Sequence, residues 1–560
     1  MASGEVSGRI ARISCNPCRK SKRRCDKKIP RCDLCTKKEI DCSYPLRHSA
    51  AKAQAALLAA ANSVKGPDIS SLERLSYSEV GQHSPVPFPS SAESDANATY
   101  FLAPRLFQQS NLQLPQSGLP HVDVSSLLGG ASSVQNIAVK FFTTIHRWLP
   151  VISKQTFFSS LLNPIAQRRT EVRLLALCMK LCCTEPGDDD PRVGIYHIAK
   201  EFHHKAETYG PLSIQVLQAG ILIAIYELGQ SIYPAAYLNV GACARYGMAL
   251  KIDHASVALG VDAESPRPWN ETEERKRVWW AVLILDRYLS LSDPSRSLSS
   301  EDPTFESYLP VDDTAWDEGT AKPGDVVTMS TGFTLKTGNF ARLAQATYLL
   351  SQALRLISET AVENDLAHSN QVMQLRRTIH SFVDAEDREV EVRRVEFWAQ
   401  SELCLSTILL LQEHHLQRLR SDISRDGTQT LQEGLWSEAR TALDRLSMVA
   451  EFYNTACPET EGSNEFVPIF LIQAMYQAAS LLLTMSKASQ DEETIPRLET
   501  AKQILRLIKR RWRLAGVYLH ILETQEKTAS LEAMAKLPNI IPIHARRLLS
   551  IDPQLASPAD

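Results

Sequence analysis

The sequence predicts a mainly α protein in three parts: a small cysteine-rich head at the N-terminus, a disordered linker and a large all-α helical body. Three observations predict it. Residues 15–42 read CNPCRKSKRRCDKKIPRCDLCTKKEIDC, two copies of C-x2-C-x6-C that hold six of the chain's twelve cysteines. Residues 65–132 are dominated by Ser, Pro, Gly and Gln. Beyond about residue 133, long apolar segments recur with a 3.6-residue period and few turn residues, which argues helices rather than strands.

Composition excludes several classes. A chain of 560 residues with 44% apolar and 22% charged residues can bury a large core and is not wholly disordered. Residues 1–14 lack the apolar region of a secretory signal, and VWWAVLIL at 278–285 falls far short of the roughly 18 apolar residues of a membrane span. A reducing, intracellular setting follows, with no membrane partner, so clustered cysteines hold metal sooner than disulfides. The N-x-S/T patterns at Asn97 and Asn270 are then chance matches. Charge is uneven: residues 9–47 carry 13 Lys/Arg against four Asp/Glu, or +9, and leave 48 against 60, or -12, elsewhere. A basic head on an acidic body points the head at a polyanion.

The head comes first in the chain. Each cysteine triplet fits a C-x-x-C turn running into a short helix, with Asn16 and Asp33 at equivalent positions as N-caps and Pro17 in the first helical turn. Tetrahedral zinc needs four ligands, so two ions share six thiolates only if two of them bridge. The alternative keeps Cys15, Cys18, Cys32 and Cys35 as one single-zinc site and leaves Cys25 and Cys42 unexplained. Between Cys18 and Cys25 lies RKSKRR, with five cations and no acid, against TKKEID between Cys35 and Cys42. The first helix is therefore the better candidate for a phosphate-lined groove.

This stretch resembles the DNA-binding domain of fungal Zn2Cys6 binuclear-cluster transcription factors, with Arg19, Lys22, Arg24 and Pro30 also on characteristic positions. The resemblance implies two Zn2+ ions, with Cys15 and Cys32 bridging, Cys18 and Cys25 completing one site and Cys35 and Cys42 the other. It implies that Lys22 reads CGG triplets in double-stranded DNA, a lysine at guanine O6 and N7 being a common specific contact. Ser21 stands where many relatives carry a second lysine, and Arg23 is the candidate to compensate. Arg19, Lys20 and Arg24 are assigned mainly to phosphates, which position the module without specifying sequence.

Residues 1–12 are expected as a flexible arm and 13–46 as the zinc domain. Next, 47–64 is alanine-rich and helix-favouring, with Ala50, Ala53, Leu57, Ala60 and Val64 spaced as a short, weak homodimer seam. Residues 65–132 cannot bury enough apolar surface to offset their ordering entropy and are expected as the disordered linker. The body spans 133–548, before a flexible tail at 549–560. It resembles the family's middle homology region at FFTTIHRWLPVISKQTF (141–157), ERKRVWWAVLILDRYLS (274–290) and FESYLPVDDTAW (305–316), while SDPSRSLSS replaces the G-R-P turn common among relatives. Loops are expected near 184–192, 261–272, 292–335, 421–432 and 457–465.

The segment 274–290 is apolar on nearly every side after Arg277, as a central helix should be, and Asp286 with Arg287 is expected as a structural ion pair. His197, His203, His204, His414 and His415 lack matched ligands at diagnostic spacing, and Cys178, Cys182 and Cys183 read as core. No hydrolase, P-loop, zincin or dinucleotide fingerprint is present. The expected function is a nuclear regulator of RNA polymerase II genes that meets the transcription machinery or a small-molecule effector and controls a metabolic or secondary-metabolite pathway. The rivals are a helical ligand sensor whose zinc head contacts protein, and an enzyme without familiar signatures.

Overall fold

Apolar stripes with a helical period run through most of this chain, and among the described residues they fold into 18 α-helices. A computed structural model describes residues 14–28, 31–38, 42, 102–103, 125–162, 169–184, 190–209, 212–253, 268–331, 337–359, 365–393, 399–419, 425–455, 467–486 and 494–535. The chain divides into two units, Met1–Pro85 and Val86–Asp560. The first holds α1 (Asn16–Lys20) and α2 (Asp33–Lys37).

The second unit holds α3 (Ser125–Leu128), α4 (Ala131–Thr143), α5 (Lys154–Leu162), α6 (Arg169–Cys183), α7 (Ile195–Tyr209), α8 (Ile214–Gly229) and α9 (Ala235–Ala249). It continues with α10 (Trp269–Ser290), α11 (Asp313–Glu318), α12 (Asn339–Ser358), α13 (Asp365–Arg393), α14 (Ala399–Leu419), α15 (Arg425–Thr455), α16 (Ile469–Ser486), α17 (Thr494–Ile508) and α18 (Arg513–Ala535). Helices α8, α10, α12, α14, α16 and α18 pack in sequence, and α18 returns to α8, so their contacts close into a ring. No strand occurs among the described residues; the one described β-bridge joins Tyr308 to Thr328. No described helix is long and apolar enough to cross a membrane.

Two helices carry the centre. In α8, Ser213 caps the N-terminus by accepting the Val216 N–H at 3.3 Å, and every residue except Gln215 is buried. Gly229 ends it against the indole of Trp512, into which a Cβ would run. In α10 every residue from Arg277 to Ser290 is buried, as its unbroken apolar character predicts. The charges on it are all engaged. Arg287 bonds Asp286 (3.1 Å), Ser351 of α12 (3.2 Å), the carbonyls of Ser300 and Glu301 (3.0 and 2.8 Å) and Asp302 (3.0 Å). Asp286 accepts the N–H groups of Ser299 and Ser300 at 3.0 and 2.9 Å. The pair is structural, and it fastens the SDPSRSLSS loop.

About two turns from the other end of α10, Arg277 contacts Glu273 (3.0 Å), Asp313 (2.6 Å) and the Val311 carbonyl (2.8 Å), with its guanidinium 4.1 Å from the Trp316 ring centroid. Glu274 accepts the Ser153 N–H at 2.9 Å and the Gln218 amide at 2.8 Å. The segments 141–157, 274–290 and 305–316 thus converge on one buried polar junction. It extends through His146, whose Nε2 lies 3.1 Å from Asp317.

Several expectations are corrected. The end of the predicted linker is helical: α3 and the start of α4 fall within 125–132, and Leu102 and Leu128 join the main core. Apolar Leu127–Leu128 finds a partner surface on α6, where Lys180 donates to the Leu127 carbonyl at 2.5 Å, and this outweighs the Ser/Gly composition around it. The loop expected at 261–272 gives way to α10 from Trp269, whose acidic first turn suits a helix N-terminus. The loop at 292–335 contains α11 and a 3-10 turn at Pro323–Asp325. The loop at 421–432 gives way to α15 from Arg425, because the buried stripe Leu435, Ala439, Ala442, Leu443 and Leu446 sustains the helix despite Gly427 and Gly434. The seam at 47–64 lies outside the described residues.

Candidate zinc centre and nucleic-acid interface

In the head, the two C-x-x-C turns place their cysteines before and inside two five-residue helices. Cys15 and Cys32, in extended backbone, are the N-cap residues, and Asn16 and Asp33 are the first helical residues rather than the expected caps. The reason is that the cap side chains turn inward, where sulfur meets sulfur. Cys15 Sγ lies 3.6 Å from Cys32 and 3.7 Å from Cys35, and Cys18 lies 3.7 and 3.8 Å from the same two. A tetrahedron with Zn–S bonds of about 2.3 Å has edges of about 3.8 Å, so the spacing fits zinc. Cys25 approaches Cys15 at 3.8 Å, and Cys42 Sγ accepts the Cys32 N–H at 3.3 Å. All six predicted cysteines are therefore gathered, with Cys15, Cys18, Cys32 and Cys35 buried at the middle and Cys25 and Cys42 half-buried beside them.

The thiols respond to that crowding. Burial pushes Cys15, Cys18 and Cys35 up to about 12. Burial acts on Cys32 too, but hydrogen bonds from the Cys35 N–H and the surrounding thiols outweigh it and bring Cys32 down to about 6. A divalent cation bound among these sulfurs would hold them as thiolates by displacing their protons.

Helix α1 ends in a full Schellman motif. The Arg23 N–H returns to the Cys18 carbonyl at 2.9 Å and the Lys22 N–H to Arg19 at 3.3 Å, with Lys22 left-handed at φ 49°. Ser21 Oγ donates to the Pro17 carbonyl at 2.7 Å, which ties this hydroxyl to the helix end. Arg19, Lys20, Ser21, Lys22, Arg23 and Arg24 are all exposed. Among the described residues, none of these five cations has an ion-pair partner.

The second half differs. Asp26, Lys28 and Asp33 form a contact set that the sequence reading missed: the Asp33 N–H donates to Asp26 Oδ1 at 3.1 Å, and Lys28 Nζ lies 2.7 Å from Asp33 and 3.9 Å from Asp26. The Asp33 hydrogen bond holds the Lys28 ammonium above its ordinary range, and Lys28 holds the Asp33 carboxyl below its own. In the body, Cys178, Cys182 and Cys183 are buried, as expected of core. His203 is buried with Nε2 3.0 Å from the Val216 carbonyl, and the described histidines form no cluster with metal-ligand spacing.

Comparison with known proteins places this geometry. Residues 13–50 match the fungal Zn(2)-Cys(6) binuclear cluster domain and residues 139–328 the fungal specific transcription factor domain. Transcription factor BOA15 of Botryotinia fuckeliana is 34% identical over 155 residues, 27% of this chain and 85% of BOA15. The chain belongs to the fungal Zn2Cys6 transcription factors. Members of this family bind zinc and DNA, and the family and its relatives are transcription factors, not enzymes. Transcription factor tazR of Aspergillus terreus is 26% identical over 201 residues, 35% of this chain and 29% of tazR. The citrinin biosynthesis transcriptional activator mrl3 of Monascus ruber is 22% identical over 313 residues, 50% of this chain and 59% of mrl3. The chain thus spans less than two thirds of the last two.

Proposed function

We propose that this Zn2Cys6 factor is a sequence-specific regulator of RNA polymerase II genes in the nucleus, reading CGG triplets through α1. Cys15 and Cys32 bridge two zinc ions, Cys18 and Cys25 complete one site, and Cys35 and Cys42 the other. Lys22 takes guanine, Arg23 supports it where Ser21 replaces a second lysine, and Arg19, Lys20 and Arg24 take phosphates. Residues 13–46 form the reading head, 47–64 a weak dimer seam, and 133–548 the regulatory body that meets the transcription machinery. Since relatives such as mrl3 carry names of biosynthetic activators, a secondary-metabolite pathway is the proposed target.

The single observation that carries the reading is the asymmetry of the two halves. Among the described residues, five exposed cations without ion-pair partners cover the end of α1, whereas Lys28 beside α2 faces two carboxylates. Counterion release then favours α1 as the face toward DNA. The helical-sensor alternative has a polar cleft at the body's junction for its ligand, lined by His146, Lys154, Asp313 and Asp317, of about 180 Å³.

The test is equilibrium binding of the zinc-loaded full chain to duplexes with and without CGG triplets across a salt series. Tighter binding to the CGG duplex, with affinity falling steeply with salt, supports the reading. Equal binding to both duplexes refutes it.

A further inference from the structure

The head's cations fall into two groups that charge counting cannot separate. The chain leaves Cys25 through Asp26-Lys27-Lys28, with Lys27 left-handed at φ 62°. This turn brings a carboxylate and an ammonium to the first residue of α2: Asp26 Oδ1 accepts the Asp33 N–H at 3.1 Å, and Lys28 Nζ lies 2.7 Å from Asp33 Oδ2. The residue before Asp33 is Cys32, whose sulfur lies 3.6 Å from Cys15 and 3.7 Å from Cys18 of the α1 turn. Whatever fixes Asp33 therefore fixes Cys32, and through the shared sulfur group the orientation of α1. The electrostatics agree: an ammonium between two carboxylates sits in a locally negative set and does not condense onto phosphate.

We propose that Asp26 and Lys28 are positioning residues for DNA reading, a clamp between the exit from Cys25 and the start of α2, and that Lys28 makes no phosphate contact. The inference rests on the proposed reading of DNA through α1. It divides the basic head into DNA-contacting cations at 19–24 and a bracing cation at 28.

The experiment uses the zinc-loaded full chain and two readouts. In the first, affinity for CGG and random duplexes is measured against salt for the parent, Lys20→Ala, Lys28→Ala and Lys28→Arg. Removal of one phosphate contact lowers the slope of log K against log salt by about 0.9, which is expected for Lys20→Ala. Lys28→Ala is expected to keep the parent slope while losing CGG affinity roughly two- to fivefold, the scale of an exposed ion pair, and Lys28→Arg to restore it. A slope lowered by about 0.9 in Lys28→Ala, or an unchanged CGG affinity, overturns the proposal.

In the second readout, hydrogen exchange of the peptide spanning 26–36 is followed by mass spectrometry. Asp26→Ala is expected to speed exchange at Asp33 roughly tenfold, and Asp26→Asn, which keeps an acceptor, to preserve protection. Unchanged exchange in Asp26→Ala also overturns the clamp. A parent chain without CGG preference would refute the reading of DNA itself, and the exchange readout would still decide whether the clamp exists.

Discussion

Lys22 combines two roles that two substitutions separate. Its side chain is the proposed base contact, and its backbone is the left-handed residue that closes α1 through the bonds to Cys18 and Arg19. Loss of a specific base contact costs about 1–3 kcal/mol, which is roughly 5- to 150-fold in affinity. A non-glycine residue in the left-handed region costs about 1 kcal/mol, and glycine removes that cost. The backbone is already left-handed in the folded head, so the second term enters folding rather than binding. Lys22→Ala and Lys22→Gly should therefore lose the same CGG discrimination, while Lys22→Gly resists zinc chelation better by about 1 kcal/mol. Fluorescence anisotropy with CGG and scrambled duplexes reads the first quantity, and the chelator concentration at half-release of zinc the second. If either variant weakens both duplexes equally, Lys22 is a phosphate contact and the assignment fails. If the two variants release zinc at the same chelator concentration, the left-handed turn carries no strain.

Chelating zinc should abolish DNA binding and be reversed by adding the metal back, while the melting of the body stays unchanged; calorimetry with and without chelator checks this. Arg277→Met should lower body stability by about 3–5 kcal/mol, seen in urea unfolding, because Glu273 and Asp313 lose a buried partner. Burial pushes Glu386 up to about 8, and one of its oxygens lacks a hydrogen bond, so the folded state favours the neutral acid. Above the ordinary glutamate value the unfolded chain releases this proton and the folded chain keeps it. Its contribution to stability is therefore present at pH 4 and lost as pH rises toward 8, by about 1.4 kcal/mol per pH unit. Glu386→Gln should raise the Tm at pH 8 and leave it nearly unchanged at pH 4.

Much of the fold was legible because periodicity and spacing are local signals. SIQVLQAGILIAIYEL and ERKRVWWAVLILDRYLSL read as buried helices from their unbroken apolar character, and both are. The six cysteines were legible from matched intervals alone. The misses came where a distant partner decides. Leu127 and Leu128 look like linker until α6 covers them, and the polar start of α10 looks like loop until its buried half anchors it. At the head, Asn16 and Asp33 have the chemistry of caps, but the sulfurs claim the cap positions and Asp26 and Lys28 take up Asp33. Such competition is set by three-dimensional geometry and leaves no trace in spacing.

Arg287 and Arg277 stand ten residues apart on α10, about 15 Å along one rigid rod, and hold opposite ends of the segment from Ser300 to Asp313. That segment is a strap buckled at both ends, with Phe305 and Tyr308 exposed along its span. Because neither buckle can slide along the rod, the span between them is fixed. The segment is much longer than that span, so a residue inserted or deleted is taken up in the turn at Thr304–Ser307 and leaves both buckles in place.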